Sequence, residues 1–518
     1  MRANSTKLTG IPPSTATAWA GRVSVVPALA VLALGALVQG LTYLNHDVAW
    51  VLDSSVRLLR GGTFGEDVVA ANPPLIWWLS AAVAGVADLL GTDAIATFRG
   101  TVLLLAAVAL VAVDRGLSGH FERPARSALL VLLALLLTIL VHRDFGQREH
   151  LAIMLCLPWL TLATARAEGG TWRPRHAALA GVAAGIGIAF KPHFLAVPAL
   201  IWTYLALRRG GFRPVLTVET AALVATGVVY LLTVWLFAAP YLTEVMPRIS
   251  QVYWGFGAPL SDVIMARLPV VLFCALALGV CGAGGWRSAP TVPALAAAGF
   301  LVAALAQTKG YSYHFYPALT LALMSLALAV LAAPSRRLGV LAALSLGAGV
   351  VIAGLQAGPT LVNRSAAGTY GQRTACLVDM VRANVPADAG FLAVSTHPYP
   401  GFPVANYSDR AWIAATNSRL FLPAITRLRA LPTLTGEQAR VLELAETSEH
   451  AAMRRDMSHD PALVFVDART VRHAVGRLAM DFIAFFREDP EFATLWADYR
   501  EIPSCAPGIR AFRLAKES

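Results

Sequence analysis

The sequence predicts a polytopic α-helical membrane protein that ends in a small α/β domain. Only 14% of its 518 residues are charged and 57% are hydrophobic, whereas a soluble protein carries about 25% charged residues. Apolar runs long enough to cross a bilayer recur as far as residue 357, and none follows. The net charge is +11 at pH 7, but the arginines lie in short loops between the apolar runs. The positive-inside rule therefore explains this charge better than nucleic-acid binding does.

The first 357 residues predict a multi-pass membrane domain whose amino terminus is cytoplasmic. Residues 1–22 lack the layout of a signal peptide and are predicted to form a cytoplasmic tail. The transmembrane domain, residues 23–357, is predicted to contain about eleven spans. They are 23–44, 98–114, 127–141, 151–165, 177–190, 193–208, 215–239, 264–284, 290–307, 315–333 and 339–357. The fifth and sixth are short, so the count allows a difference of one pair.

Residues 74–91 are apolar enough to form a further span, but the charge distribution argues against a full crossing. If they crossed, the twelve arginines of the later inner loops would move outside, against the orientation bias of short loops. The segment is therefore predicted to be an interfacial helix, with Trp77 and Trp78 at headgroup level. It lies within a first external loop of residues 45–97, and the carboxyl terminus is outside.

Residues 358–518 differ in composition and predict an α/β domain on the outer side. Strands are predicted at 391–396, 462–466 and 509–514, and helices at 368–384, 435–457 and 476–498 with an interruption near Asp489. Cys376 and Cys505 both fall in this domain. They could form a disulfide in an oxidising compartment, and the spacing leaves two free thiols equally open.

On this topology, the loops with unusual polar content all lie on the outer face. The predicted loop at 141–150 holds six ionisable side chains in ten residues between two apolar spans. The other such loops are 45–97, 190–194, 240–263 and 307–316, whereas the inner loops hold mainly arginine. Ionisable groups at membrane depth are costly and mark functional sites. The asymmetry therefore predicts an active site that faces outward.

Two motifs in the first external loop carry a family resemblance. The sequence LNHDVAW at 44–50 lies just beyond the first predicted span, and ANPPLIWW at 71–78 follows on the same side. A carboxylate just beyond the end of a span, followed by a loop that contains Pro-Pro and aromatic residues, resembles the first external loop of the GT-C membrane glycosyltransferases. It looks most like the branch of protein O-mannosyltransferases and lipid A aminoarabinose transferases. The resemblance covers residues 23–357 in general plan.

The resemblance implies an enzyme of the bacterial inner membrane, with its carboxyl-terminal domain in the periplasm. It would move one sugar from a polyprenyl-phosphate donor to a hydroxyl of a cell-envelope glycan or lipid, with inversion. In these families an acidic residue at this place is the general base, a role that falls here to Asp47. They often have an Asp-Glu pair there, whereas His46 and Val48 flank Asp47 in this chain. An aspartate that caps the next helix is the alternative.

A transfer from such a donor needs cations that stabilise the departing phosphate. The cations predicted for this role are Arg143, Arg148, Lys191, Lys309 and His314. Arginine suits bidentate phosphate contact, and lysine suits a point charge. The alternative for the two arginines is local pairing with Asp144 and Glu149, and the alternative for the first lysine is snorkelling to the interface.

Further residues are predicted to bind substrate from the polar outer loops. They are His46, Asn72, Asp144, Glu149, His193, Tyr311 and Tyr313. An aromatic belt at the interface is the alternative for the tyrosines. In the carboxyl-terminal domain, the loop at 395–407 follows a predicted strand, which is a common binding position. His397 and Asn406 are predicted to bind the acceptor there, with a proline-stiffened connection as the alternative.

No cofactor and no metal are predicted, because no histidine pair has a metal-binding spacing, although some relatives in the superfamily use a divalent cation. Three other functions stay open. A glycan polymerase or ligase with a diphosphate-linked donor would share most of these features. A transporter should show two similar halves with broken helices, which the sequence lacks. A non-catalytic envelope scaffold would not depend on Asp47.

Overall fold

A computed structural model describes residues 25–515 of the chain, so the predicted tail at 1–22 lies outside the described residues. The part that precedes the carboxyl-terminal domain is helical. Its helices are α1 (Val26–Gly40), α2 (His46–Leu59), α3 (Leu75–Leu90), α4 (Ala94–Gly116), α5 (Arg123–Thr138), α6 (Arg148–Ala167), α7 (Pro174–Ala189), α8 (Ala196–Arg209), α9 (Val218–Phe237), α10 (Met246–Val252), α11 (Leu260–Ala266), α12 (Leu268–Ala283), α13 (Ser288–Ala306), α14 (Ser312–Ala332) and α15 (Arg336–Arg364).

Each of the eleven predicted spans coincides with one of these helices, which makes the chain a multi-pass membrane protein. Six of them, α4, α6, α9, α13, α14 and α15, are long and apolar enough to cross a membrane by themselves. The pair α11 and α12, bent by 78°, makes a seventh if it is one span. A helix of the length of α1 reaches about 22 Å, less than the hydrocarbon core of about 30 Å. The shorter helices therefore need their flanking turns to complete a crossing.

The ambiguous segment at 74–91 forms the helix α3, which packs along α2. Trp77 on this helix is 1% exposed. Its indole N–H donates to Ser54 Oγ at 2.8 Å, and its ring lies 5.1 Å from that of Phe64. The helix is confirmed and one of its tryptophans is enclosed by protein, while its depth in the bilayer stays a prediction.

The carboxyl-terminal domain contains a five-stranded sheet with helices around it. Its elements are α16 (Thr369–Asn384), β1 (Gly390–Val394), α17 (Gly401–Ser408), β2 (Ala411–Trp412), α18 (Leu422–Arg429), α19 (Gly436–Met457), β3 (Leu463–Asp467), α20 (Phe482–Phe486), α21 (Pro490–Trp496), β4 (Tyr499–Ile502) and β5 (Ile509–Leu514). The strand order is β2-β1-β3-β5-β4. β1 is parallel to both β2 and β3, whereas β5 is antiparallel to β3 and β4.

The three predicted strands correspond to β1, β3 and β5, and the first two predicted helices correspond to α16 and α19. The helix predicted at 476–498 is wrong over residues 476–481, whereas its interruption near Asp489 is confirmed. Only the short helices α20 and α21 form there, because Asp481 and Asp489 each cap a new helix start with their side chains. The edge strands β2 and β4 were missed, since two and four residues are too short to show a pattern.

The sulfurs of Cys376 and Cys505 form a disulfide, which answers the question that their spacing left open. It joins α16 to the loop before β5 across 129 residues. The sheet also continues the core of the membrane domain, because one cluster of buried apolar side chains runs through both domains. At their boundary the ring of Trp50 on α2 lies 5.4 Å from that of Phe402 on α17. The helix α2 therefore packs directly on the carboxyl-terminal domain.

Candidate active site

A cavity of about 360 Å³ lies between the membrane domain and the carboxyl-terminal domain. The membrane domain lines it with the start of α2, the loops around α3 and α6, and the loop before α14. The carboxyl-terminal domain lines it with the loops that follow β1, β2 and β3. Among the predicted site residues, those in the lining are His46, Asp47, Asn72, Arg143, Asp144, Arg148, Tyr311, Tyr313 and His397.

The carboxylate of Asp47 faces this cavity because another residue caps α2. Asn45 is the N-cap, and its side-chain oxygen accepts from the Asp47 N–H at 2.8 Å. The alternative that Asp47 caps the helix is therefore wrong. Gln147 Nε2 donates to Asp47 Oδ2 at 3.2 Å and to Asn45 Oδ1 at 3.0 Å. The amide of Gln147 thus fixes the carboxylate and leaves the Asp47 side chain 19% exposed.

Arg148 presents a guanidinium to the same cavity. Arg148 is 6% exposed, and its guanidinium forms no hydrogen bond or ion pair with any residue between 25 and 515. The alternative of a local pair with Glu149 is wrong, because Glu149 pairs with Lys191 instead. A buried arginine without an anion is costly, so this guanidinium is available for a ligand.

Arg143 also lines the cavity and, unlike Arg148, has side-chain partners. Its Nη2 donates to Ser312 Oγ at 2.9 Å, and its Nε lies 3.8 Å from Asp144 Oδ1. Arg143 therefore pairs with Asp144, as the alternative predicted, but at a distance longer than a direct hydrogen bond. Burial raises the pKa of Asp144 to about 6, and the charge of Arg143 opposes that shift.

Lys191 and its partners lie behind the cavity wall. Lys191 is 4% exposed, and its Nζ lies 2.6 Å from Glu149 Oε1 and 2.8 Å from Gln307 Oε1. His314 Nε2 lies 3.8 Å from the same carboxylate oxygen. Lys191 is thus paired, and the snorkelling alternative is wrong. Its ammonium lies 5.5 Å from the ring centre of Tyr313, which does line the cavity.

Lys309 lies next to the cavity and has no carboxylate partner among the described residues. Its ammonium lies 3.1 Å from the ring centre of Tyr253 and 6.0 Å from that of Phe256. Burial lowers the pKa of Lys309 to about 7, and the positive charges of Lys191 and Arg148 add to the effect. The charge of its ammonium therefore depends on pH near neutrality.

Three histidines from both domains form a row along one wall. The rings of His46 and His397 are 4.3 Å apart, and those of His397 and His473 are 4.9 Å apart. His473 Nε2 lies 3.0 Å from the hydroxyl of Tyr311. Burial lowers the pKa of all three imidazoles, and for His397 the charges of the other two contribute. The row is therefore neutral at pH 7.

The carboxyl-terminal domain presents its switch point to the cavity. From β1 the chain forms β2 on one side and then returns to form β3 on the other. In α/β sheets the crevice at the carboxyl ends of such strands is the usual ligand position. His397 follows β1 and His473 follows β3, and Thr396 Oγ1 ties the two loops by donating to the His473 carbonyl at 2.6 Å.

Two further predicted contacts lie outside the lining, in addition to Glu149, Lys191, Lys309 and His314. Asn406 does not reach the cavity, because its Nδ2 donates to the Ala49 carbonyl at 3.0 Å and so fastens α17 to α2. His193 is exposed at the start of α8 and is also absent from the lining. Among the described residues no group of three His, Cys, Asp or Glu side chains has a geometry that would hold a metal ion.

No protein-family model and no curated protein matches the sequence. Solved structures do match it. ArnT from Cupriavidus metallidurans, bound to undecaprenyl phosphate, aligns over 97% of this chain and 100% of its own, with a TM-score of 0.54 and 13% identity. The oligosaccharyltransferase of Archaeoglobus fulgidus, tethered to an acceptor peptide, aligns over 94% of this chain and 74% of its own, with a TM-score of 0.42 and 12% identity. The chain has the GT-C fold.

This fold is the one that the resemblance at 44–50 and 71–78 implied. The predicted site residues did not include Gln147, which hydrogen-bonds to Asp47, or His473, which lines the cavity. Gln147 lies within the polar loop at 141–150, but an uncharged amide gave no signal there. His473 could have been predicted, because it follows a predicted strand as His397 does, and the same argument about strand ends applies to both.

Proposed function

We propose that this protein is a glycosyltransferase that moves a sugar from a polyprenyl-phosphate donor to a hydroxyl group of a cell-envelope glycan or lipid. One observation carries the proposal: the carboxylate of Asp47, which does not cap a helix, shares a cavity with the unpaired guanidinium of Arg148. A general base and a cation for the leaving group are the two needs of this reaction. ArnT was solved with undecaprenyl phosphate, which supports a donor of this class.

In the proposed reaction Asp47 takes the proton of the acceptor hydroxyl. The hydroxyl oxygen then bonds to the anomeric carbon of the sugar from the face opposite the phosphate, so the configuration inverts. The bond between that carbon and the phosphate oxygen breaks, and the electron pair leaves with polyprenyl phosphate. Arg148 stabilises the added negative charge, with Arg143 and the cationic form of Lys309 beside it.

The division of the cavity between two domains supports separate places for the two substrates. The donor phosphate lies against the membrane domain, where the cations are and where a polyprenyl chain stays in lipid. The acceptor lies against the loops after β1 and β3, with His397 and His473 as hydrogen-bonding partners. Gln147 holds the Asp47 carboxylate between the two. Positioned reactants of this kind lower the barrier without new chemistry.

We place the cavity on the periplasmic side of the bacterial inner membrane, with the amino terminus in the cytoplasm. The positive-inside distribution of arginines supports this orientation. The disulfide between Cys376 and Cys505 supports an oxidising compartment for the carboxyl-terminal domain. No step of the proposed reaction needs a metal ion.

The test is release of polyprenyl phosphate by purified protein in detergent. Wild type, Asp47→Asn and the control Asp262→Asn are given a panel of polyprenyl-phosphate and polyprenyl-diphosphate sugars, with envelope extract as the acceptor source. Asp262 is an exposed acid on α11 outside the cavity, so its variant should turn over as wild type does. Asp47→Asn should lose about 100-fold or more. Equal turnover by all three proteins would remove Asp47 from the mechanism, and turnover of diphosphate donors alone would point to a polymerase or ligase.

A further inference from the structure

A second pocket, of about 480 Å³, lies in the carboxyl-terminal domain at the carboxyl end of β3. It shares no lining residue with the cavity that contains Asp47. The two are nevertheless joined through one loop, because Arg472 lines this pocket and the next residue, His473, lines the cavity. The pocket is strongly basic. Its charged lining consists of Asp467, Arg469, Arg472, Arg477, Asp481 and Arg510.

Two of the four arginines are already neutralised by carboxylates. Arg469 donates to Asp467 through Nε at 2.8 Å and Nη2 at 2.7 Å. Arg510 makes a similar bidentate pair with Glu501 at 2.8 and 2.6 Å. The remaining acid of the lining, Asp481, accepts the N–H groups of two residues as the N-cap of α20. The carboxylates near the pocket are therefore occupied.

The other two guanidinium groups, of Arg472 and Arg477, form no ion pair with a carboxylate among the described residues. The charges of Asp467 and Asp481 act on Arg472 only from a longer distance. Arg472 is 7% exposed and lies 4.1 Å from the ring centre of Phe482. Its Nη2 donates to the Leu478 carbonyl at 3.1 Å, but its Nε is buried without a hydrogen-bond partner. Arg477 is exposed at the mouth of the pocket. A buried cation with an unsatisfied donor is costly unless an anion pairs with it.

We propose that this pocket binds a phosphate or carboxylate group through Arg472 and Arg477. Planar guanidinium groups suit both anions, because they donate two parallel hydrogen bonds. The anion has two possible sources, an acidic group on the acceptor glycan or lipid and the headgroup of an anionic phospholipid. The first source rests on the proposed function, whereas the binding site itself does not.

The backbone of the loop connects this pocket to the cavity. Arg472 and Gly476 exchange two backbone hydrogen bonds of 2.9 Å, which closes the turn that contains His473. Thr396 Oγ1 then binds the carbonyl of His473 at 2.6 Å. An anion on Arg472 therefore stabilises the turn that presents His473 to the cavity. An acidic acceptor would be held at two points, by its anion here and by its hydroxyl at Asp47.

The test uses the full-length protein in phosphatidylcholine nanodiscs and follows thermal stabilisation by a hexose phosphate, a hexuronate and a neutral hexose. All proteins also carry Arg148→Gln, which removes the main proposed donor-phosphate contact, and the difference in binding between variants of this pocket and a control outside it reports on the pocket. The two acidic sugars should bind and the neutral hexose should not. Arg472→Gln/Arg477→Gln should weaken binding by about tenfold or more, and Arg472→Lys should retain part of it.

The control is Arg513→Gln, an exposed arginine on β5 outside the pocket, which should bind as the parent does. Equal binding by the double variant and the control, both with unchanged unliganded melting temperature, would overturn the proposal. If the double variant does not fold, the exposed Arg477→Gln alone decides, and binding as tight as that of the parent overturns it. Nanodiscs with phosphatidylglycerol separate the two sources. Loss of sugar-acid binding there identifies the lipid headgroup, and unchanged binding identifies the acceptor.

Discussion

The imidazole ring of His46, in the first turn of α2, lies 4.3 Å from that of His397, which follows β1. His46 precedes the proposed base, and His397 belongs to the domain proposed to hold the acceptor. This contact is the shortest of the ring contacts in the histidine row, so the two domains meet at the point where the reaction is proposed to occur.

Replacement of His397 by alanine should weaken binding of the acceptor and leave binding of the donor unchanged. We expect the KM for the acceptor to rise about tenfold, the loss of roughly one hydrogen bond in a buried site, with the donor KM unchanged. Initial rates at varied acceptor and donor concentrations measure the two constants. His459→Ala is the control, because His459 is exposed at the end of α19. A rise in the donor KM alone would contradict the assignment.

Replacement of Arg148 by glutamine should reduce kcat/KM for the donor by about 100- to 1,000-fold, the range for one lost donor to a developing negative charge. Arg148→Lys should retain part of the activity, because it keeps the charge without the bidentate geometry. Arg248→Gln serves as the control, since Arg248 is an exposed residue of α10 paired only with Glu244 at 3.6 Å. An Arg148→Gln protein as active as the control would exclude this guanidinium from the mechanism.

The pH dependence of donor binding should follow Lys309. A lysine is charged below its pKa, and burial lowers the pKa of this one to about 7. The ammonium is therefore lost as the pH rises through 7, while a phosphodiester donor does not titrate in that range. The donor KM should rise above pH 7, with a limiting slope of about tenfold per pH unit.

Lys309→Arg separates this effect from other titrations, because a guanidinium stays charged throughout. We expect its donor KM to rise much less above pH 7 than that of wild type, measured as initial rates in the same buffers. The same rise in both proteins would assign the titration to another group.

The buried pair of Lys191 and Glu149 should respond differently to single and double substitution. Glu149→Gln leaves a buried ammonium without its partner at 2.6 Å, and breaking a buried pair costs about 3–5 kcal/mol. The double variant Glu149→Gln/Lys191→Met should be more stable than Glu149→Gln alone, because it removes both charges. Apparent melting temperatures in detergent test this. A double variant that is less stable than wild type by the sum of the two single losses would show that the pair is not coupled.

The sequence was sufficient for the parts of the site that lie close to span ends. Asp47 and Arg148 could be placed at the outer face because apolar runs fix the ends of the neighbouring helices, and both line the cavity. The strands at the centre of the sheet could also be predicted, because β1 and β3 are apolar runs and β5 alternates apolar residues with arginine over part of its length.

The rest depends on which distant elements pack together. Lys191 pairs with Glu149 across 42 positions of sequence, although Arg148 is the neighbour of Glu149 in the chain and was the alternative partner for it. Asn406 looked like a loop residue, but it lies on α17, which packs on α2 and directs the amide to the Ala49 carbonyl. Neither contact leaves a local pattern, because each is set by tertiary packing.

The cavity is built from two stretches of chain that do not overlap, residues 45–313 and residues 396–473. On the proposed function the first determines the chemistry and the second determines what is glycosylated. The loops after β1, β2 and β3 connect elements of the carboxyl-terminal domain, and loops tolerate variation better than the elements they connect. Relatives with this architecture can therefore diverge in acceptor while they retain the same donor, and an exchange of the carboxyl-terminal domain between two of them is a route to a transferase with a new target.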